Sequence, residues 1–202
     1  MDTRIMLSAM VLAVAGLMGG SALAAMPDKT APDFSLLDQK GNNVKLSDFK
    51  GQIVVLEWTN PDCMTVQRLY RDGSMQKLAK SYTGKGVIWL AINSSSGSSS
   101  EMNSTWANKE KISYAVLDDH EGSVAEHYGV TKTPEMFVID RNGDIVYHGA
   151  LDNDASGKRW FGVENYVSTA LDSLLHGKSV AIIETRPYGC ALSSEASTGM
   201  AR

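Results

Sequence analysis

The stretch VTKTPEMFVIDRNGDIVYHG, Val130 to Gly149, holds two strand patterns joined by a turn. Two apolar, β-branched runs, EMFVID and DIVYHG, flank Arg141, Asn142 and Gly143, a turn signal that predicts an antiparallel hairpin. Ahead of the first run, Thr133 precedes Pro134, and a residue before proline is biased toward extended backbone. The segment therefore predicts a bend at Thr133-Pro134 followed by two paired strands.

Upstream, IVVLEW (Ile53 to Trp58) and GVIWLAIN (Gly86 to Asn93) are short apolar runs that read as buried strands. Between them, Val66, Leu69 and Tyr70 recur at helical spacing, then Met75, Leu78, Ala79 and Tyr82 do so after Gly73, which predicts a helix bent or broken at that glycine. The SSSGSSSE run, residues 94–101, reads as a flexible loop, and Met102, Thr105 and Trp106 mark a helix face beyond it. AVLDD supplies a short strand, and SVAE, residues 123–126, reads as a capping box opening a brief helix that Gly129 ends. Val167, Ala170, Leu171, Leu174 and Leu175 form the apolar stripe of a last helix closed by Gly177. Toward the N-terminus, FSLLDQKGNNVKLSDFKG alternates around Gly41 and Asn42, an additional β-hairpin. Strands alternating with helices predict an α/β fold with a mixed sheet covered by helices on both faces.

The chain has 202 residues and a formal net charge of −4, with its basic residues scattered, so a nucleic-acid partner is not expected. It opens with Arg4 and an uncharged run from Ile5 to Ala25 ending in SALAA, which reads as a signal peptide over residues 1–24 and predicts a periplasmic or secreted protein without a membrane span after cleavage. Residues 25–178 read as one domain and residues 179–202 as a tail. An oxidising compartment lets the two cysteines, Cys63 and Cys190, pair. His120, His127, His148 and His176 stand at no zinc-site spacing, and no cofactor motif occurs, so neither metal nor cofactor is expected.

Cys63 falls where a strand-to-helix loop ends. A helix N-terminus favours thiolate there by ~0.3–2 kcal/mol. Asp62 opposes it with a comparable repulsion, roughly 0.7–2.8 kcal/mol at ~6 Å. The balance predicts a moderately reactive thiol. Glu57 lies in an otherwise apolar strand; it is either a buried acid that exchanges a proton with sulfur or a strand-end glutamate reaching solvent.

With WTNPDC (Trp58 to Cys63), TPEMFVID (Thr133 to Asp140) and the pair Gly189-Cys190 in place, the chain resembles the thioredoxin superfamily, in particular its peroxiredoxin-like, AhpC/TSA-related redoxins. APDFSLLD with VKLSDFKG resembles the N-terminal hairpin of those branches. The resemblance implies a thioredoxin-like fold, a cis Thr133-Pro134 bond whose Thr133 backbone pairs with an extended substrate, and Glu57 as the buried acid. It also implies that Cys63 is the first thiol of a CxxC site. Val66 stands at the second position, and the residues after Cys63 are Met64 and Thr65 where the group commonly has Pro and Phe.

The resolving partner is then expected to be Cys190, the one other cysteine, carried back by ETRPYG after the apolar patch Val180 to Ile183 docks on the domain. Three functions stay open: disulfide exchange with a thiol- or disulfide-containing protein or small thiol and an external reductant; thiol peroxidase activity; and a binding protein stapled by a structural Cys63–Cys190 bond. The peroxiredoxin threonine would fall three residues before the cysteine, where Asn60 stands, with Thr59 one place too early.

Overall fold

A computed structural model describes residues 30–192, so the signal-peptide reading lies outside the described residues. The strands are β1 (Ser35–Asp38), β2 (Asn43–Lys45), β3 (Val54–Thr59), β4 (Ile88–Asn93), β5 (Ala115–Asp118), β6 (Lys132–Thr133), β7 (Glu135–Ile139), β8 (Ile145–Gly149) and β9 (Cys190–Ala191). The helices are α1 (Met64–Arg71), α2 (Ser74–Thr83), α3 (Ser100–Glu110), α4 (Ser123–Tyr128) and α5 (Tyr166–Leu175), with a 3-10 turn at Leu46–Phe49.

Seven strands form one mixed sheet in the order β2-β1-β5-β4-β3-β7-β8. β3 is central, parallel to β4 and antiparallel to β7, and every residue of it is buried. Its alternation divides the core: Val55 joins a cluster with residues of α1, α2, α3 and α5, whereas Val54, Leu56 and Trp58 join Val124 and Ala125 of α4 on the opposite face. Helices thus cover both faces, as expected. Full burial of side chains such as Leu56 and Ile92 contributes roughly 1.5–3 kcal/mol each.

The N-terminal hairpin pairs Leu36 with Val44, and β1 also pairs antiparallel with β5, so the hairpin extends the main sheet. The β7–β8 hairpin forms as read, with a turn closed by Gly143 N–H to Asp140 O at 3.1 Å. Gly73 does break the helix: at φ 74° it separates α1 from α2 in a conformation glycine adopts without steric cost.

Two local expectations need correction. The serine loop is held by polar contacts. Buried Ser94 donates to Asp119 at 2.6 Å and accepts from the Trp58 indole at 3.1 Å, and Ser98 donates to Asp118 at 2.6 Å. The start of α4 is not a Ser123 capping box. Gly122 is the N-cap, and the Asp119 carboxylate accepts from the N–H groups of Val124 and Ala125 at 3.1 and 3.0 Å. A carboxylate at a helix N-terminus also meets the positive end of the helix dipole.

Candidate active site

Cys63 is the N-cap of α1. Its extended backbone (φ −76°, ψ 121°) turns the chain out of β3, and its carbonyl accepts from Gln67 N–H at 2.8 Å. Asn60 shapes the preceding turn, accepting from Cys63 N–H through its backbone oxygen and from Asp62 N–H through its side chain. No acidic residue lies in the first turn of α1. The sulfur stands at the positive end of an eight-residue helix.

Thr133-Pro134 is cis. Thr133 O lies 3.2 Å from Cys63 Sγ, which places the bend directly against the sulfur. Glu135 fixes this edge from behind. Its buried carboxylate accepts from Thr131 N–H at 2.9 Å and Lys132 N–H at 3.1 Å. Sequence reasoning missed Glu135; a charged residue opening the apolar run EMFVID was the available signal.

Cys63 and Cys190 form a disulfide with Cα atoms 5.8 Å apart. The tail reaches it in two steps. Residues 183–185 run along the edge of β8, with His148 N–H to Ile183 O at 3.0 Å and Thr185 N–H to His148 O at 3.1 Å. The Thr185 hydroxyl adds contacts to Tyr147 Oη and Ala150 N–H at 2.6 and 2.9 Å. Val180 and Ile182 pack on the core while Ile183 stays 45% exposed, so only part of the expected apolar patch docks. The chain then crosses to β6, where β9 pairs antiparallel with Thr133 opposite Cys190. The tail strand occupies the edge on which the sequence reading placed substrate.

Glu57 is fully buried in β3. Its Oε1 lies 2.7 Å from Tyr70 Oη; its Oε2 lies 3.2 Å from Tyr114 Oη and accepts from the Trp89 indole at 2.9 Å. Tyr70 and Tyr114 hydroxyls are themselves 2.8 Å apart. These groups make three O···O contacts, and two tyrosine protons cannot fill them. A neutral Glu57 carboxyl would supply the third proton and complete the ring. Burial raises the Glu57 pKa, against the lowering effect of the Tyr70, Trp89 and Tyr114 hydrogen bonds. Burial likewise drives the Tyr70 and Tyr114 hydroxyls well above their ordinary values. Glu57 therefore does not reach solvent, and its hydrogen bonds go to Tyr70, Trp89 and Tyr114.

This arrangement has a pH signature. The unfolded carboxyl releases its proton near pH 4.5, whereas the folded one retains it to higher pH. Stability present below the unfolded pKa is lost as pH rises through the folded pKa. Relative to Glu57→Gln, the wild type is expected to lose stability from about pH 4.5 upward, with a slope of at most ~1.4 kcal/mol per pH unit. Denaturant unfolding of both proteins between pH 4.5 and 8 checks this, and parallel curves would contradict it.

Among the described residues, no group of three or more His, Cys, Asp or Glu side chains could hold a metal ion, and no helix is long and apolar enough to cross a membrane.

A helix-capping cysteine facing a cis-proline edge, on a mixed sheet covered on both faces, is the arrangement of the thioredoxin superfamily. Residues 27–148 match the AhpC/TSA family, and the chain belongs to it. That match ends ahead of the tail that carries Cys190. The thiol-disulfide oxidoreductase ResA of Geobacillus kaustophilus is 32% identical over 116 residues, 57% of this chain and 64% of that protein, so the chain spans just under two thirds of that relative. Peroxiredoxin Bcp of Escherichia coli is 34% identical over 132 residues, 63% of this chain and 78% of that protein. A crystal structure of a hypothetical protein from Sinorhizobium meliloti superposes with a TM-score of 0.75 at 27% identity, covering 86% of this chain and 97% of that one. The distant relatives are thus thiol-disulfide oxidoreductases and peroxiredoxins.

Proposed function

We propose that this protein is an exported thiol-disulfide oxidoreductase with Cys63 as nucleophile, Cys190 as resolving thiol and Glu57 as internal proton store. The observation that carries the reading is the position of the Cys63–Cys190 bond on the Thr133-Pro134 edge. A thiol delivered there arrives where a mixed disulfide with substrate would need resolving. In the oxidised form Cys63 is 1% exposed and Cys190 is partly exposed. An incoming reductant thiolate attacks Sγ of Cys190, the more exposed of the two cysteines, and Cys63 leaves as a thiolate at the helix N-terminus. A second reductant thiol then frees Cys190.

Disulfide exchange is favoured over peroxide reduction because Thr59 is buried within β3 and Asn60 is committed to the turn, which leaves no threonine hydroxyl at the peroxiredoxin position. The partners are a thiol- or disulfide-containing protein or small thiol and an external reductant. Export rests on Arg4, the uncharged run and SALAA. Cys63→Ser is expected to abolish disulfide exchange with a model disulfide; full activity in that variant, with loss in Cys190→Ser, would reverse the roles.

A further inference from the structure

The way the tail strand is seated carries information about what else fits there. Thr133 lies opposite Cys190 and Lys132 opposite Ala191, and Leu192 N–H donates to Thr131 O at 3.0 Å. Strand pairing and the sulfur bridge together fix the residue before the cysteine directly over the Thr133 carbonyl. Gly189 fills that position at φ 114°, where side-chain-bearing residues are strained. A Cβ there would lie 2.1 Å from Thr133 O, 3.0 Å from Thr133 C and 3.2 Å from Pro134 Cδ. The obstructing atoms are backbone and proline ring, in a strand that Glu135 holds from behind. They cannot swing aside as a flexible side chain would. After the cysteine the constraint relaxes: Ala191 is exposed, and Leu192 packs at the margin of the Phe34–Trp58 cluster.

We propose that the Thr131–Pro134 edge is a peptide-binding site selective for extended cysteine segments with glycine immediately before the cysteine, and that the tail is its built-in occupant. The proposal rests on the reading that Cys63 exchanges disulfides at this edge. Cys63 thiolate attacks the substrate cysteine in its disulfide, forming a Cys63–substrate bond and releasing the other substrate sulfur as a thiolate. Cys190 thiolate then attacks Cys63 Sγ, forming the intramolecular bridge and releasing the substrate cysteine. The two protein thiols are oxidised and one substrate disulfide is reduced. Substrate and tail use the same seat in turn, so closing the bridge also expels the product.

The test uses the full chain carrying Cys190→Ser, in which adducts on Cys63 persist. Two symmetric peptide disulfides are compared, acetyl-Tyr-Gly-Cys-Ala-Leu-amide and its counterpart with alanine before cysteine, together with hydroxyethyl disulfide. Adduct formation is followed by mass spectrometry, each rate divided by that disulfide's rate with free glutathione. The serine tail competes with both peptides alike, so their ratio reads the seat. The glycine peptide is expected to react about tenfold faster or more, in line with the cost of overpacking a rigid site. Equal rates, or a faster alanine peptide, with hydroxyethyl disulfide reactive, would overturn the glycine requirement and leave the exchange reading standing. No adduct from any of the three would overturn both.

Discussion

Cys190→Ser is expected to convert a turnover enzyme into a trap. Cys63 keeps its place at the α1 N-terminus and still attacks a disulfide, but Val66 stands at the second position of a CxxC site, and the only other cysteine of the chain has been removed. The Cys63–substrate bond then persists until an external thiol finds it. A tethered thiol acts at an effective concentration of ~mM or more. With external thiols at about 10 μM, resolution of the adduct should slow by roughly 100-fold, and the adduct should approach one per protein. Mass spectrometry of alkylated samples taken during turnover measures both. Normal turnover with no adduct would exclude resolution by the tail.

Reduction of the bridge should lower the unfolding free energy by up to about 5 kcal/mol. Cys63 and Cys190 are 127 residues apart, and cross-linking so long a loop removes much conformational entropy from the unfolded chain. At an m-value of about 2 kcal/mol per molar, the urea midpoint moves down by up to roughly 2.5 M. The fold itself should survive reduction, because the sheet and both core clusters are assembled mainly from residues ahead of the tail. The hydrogen bonds of residues 183–185 to β8 also do not involve the sulfur link. Urea unfolding of oxidised and reduced protein decides this; a midpoint unchanged by reduction would mean that the unfolded chain gains little freedom when the bond opens.

Much of this structure was legible because local pattern and tertiary role agree. The EMFVID and DIVYHG runs become β7 and β8, Gly73 breaks the helix, and the stripe from Val167 to Leu171 faces the core. Cys63 could be placed at a helix N-terminus because a buried strand and a helical spacing flank it. The Cys190 pairing was within reach because the chain has one other cysteine. What stayed hidden depends on partners distant in sequence. Residues 183–185 and Cys190-Ala191 have no strong strand pattern; they pair because β8 and β6 offer unpaired edges. The partners that make Glu57 a buried acid, Tyr70, Trp89 and Tyr114, come from α1, β4 and the segment before β5, so no local window contains them. The serine run reads as flexible by composition, yet Ser94 and Ser98 donate to Asp119 and Asp118, which lie 25 and 20 residues downstream.

Under the proposed function, the Cys63–Cys190 bond is a working bond and not a staple. The direct measurement is reduction of the oxidised protein by dithiothreitol in native buffer, sampled by alkylation and mass spectrometry while circular dichroism follows the fold. The bond is expected to open within minutes without unfolding and, once dithiothreitol is removed, to re-form when one equivalent of a disulfide substrate is added, with release of its two thiols. A bond that opens only once denaturant has unfolded the domain, or that does not re-form at the expense of substrate, would contradict it.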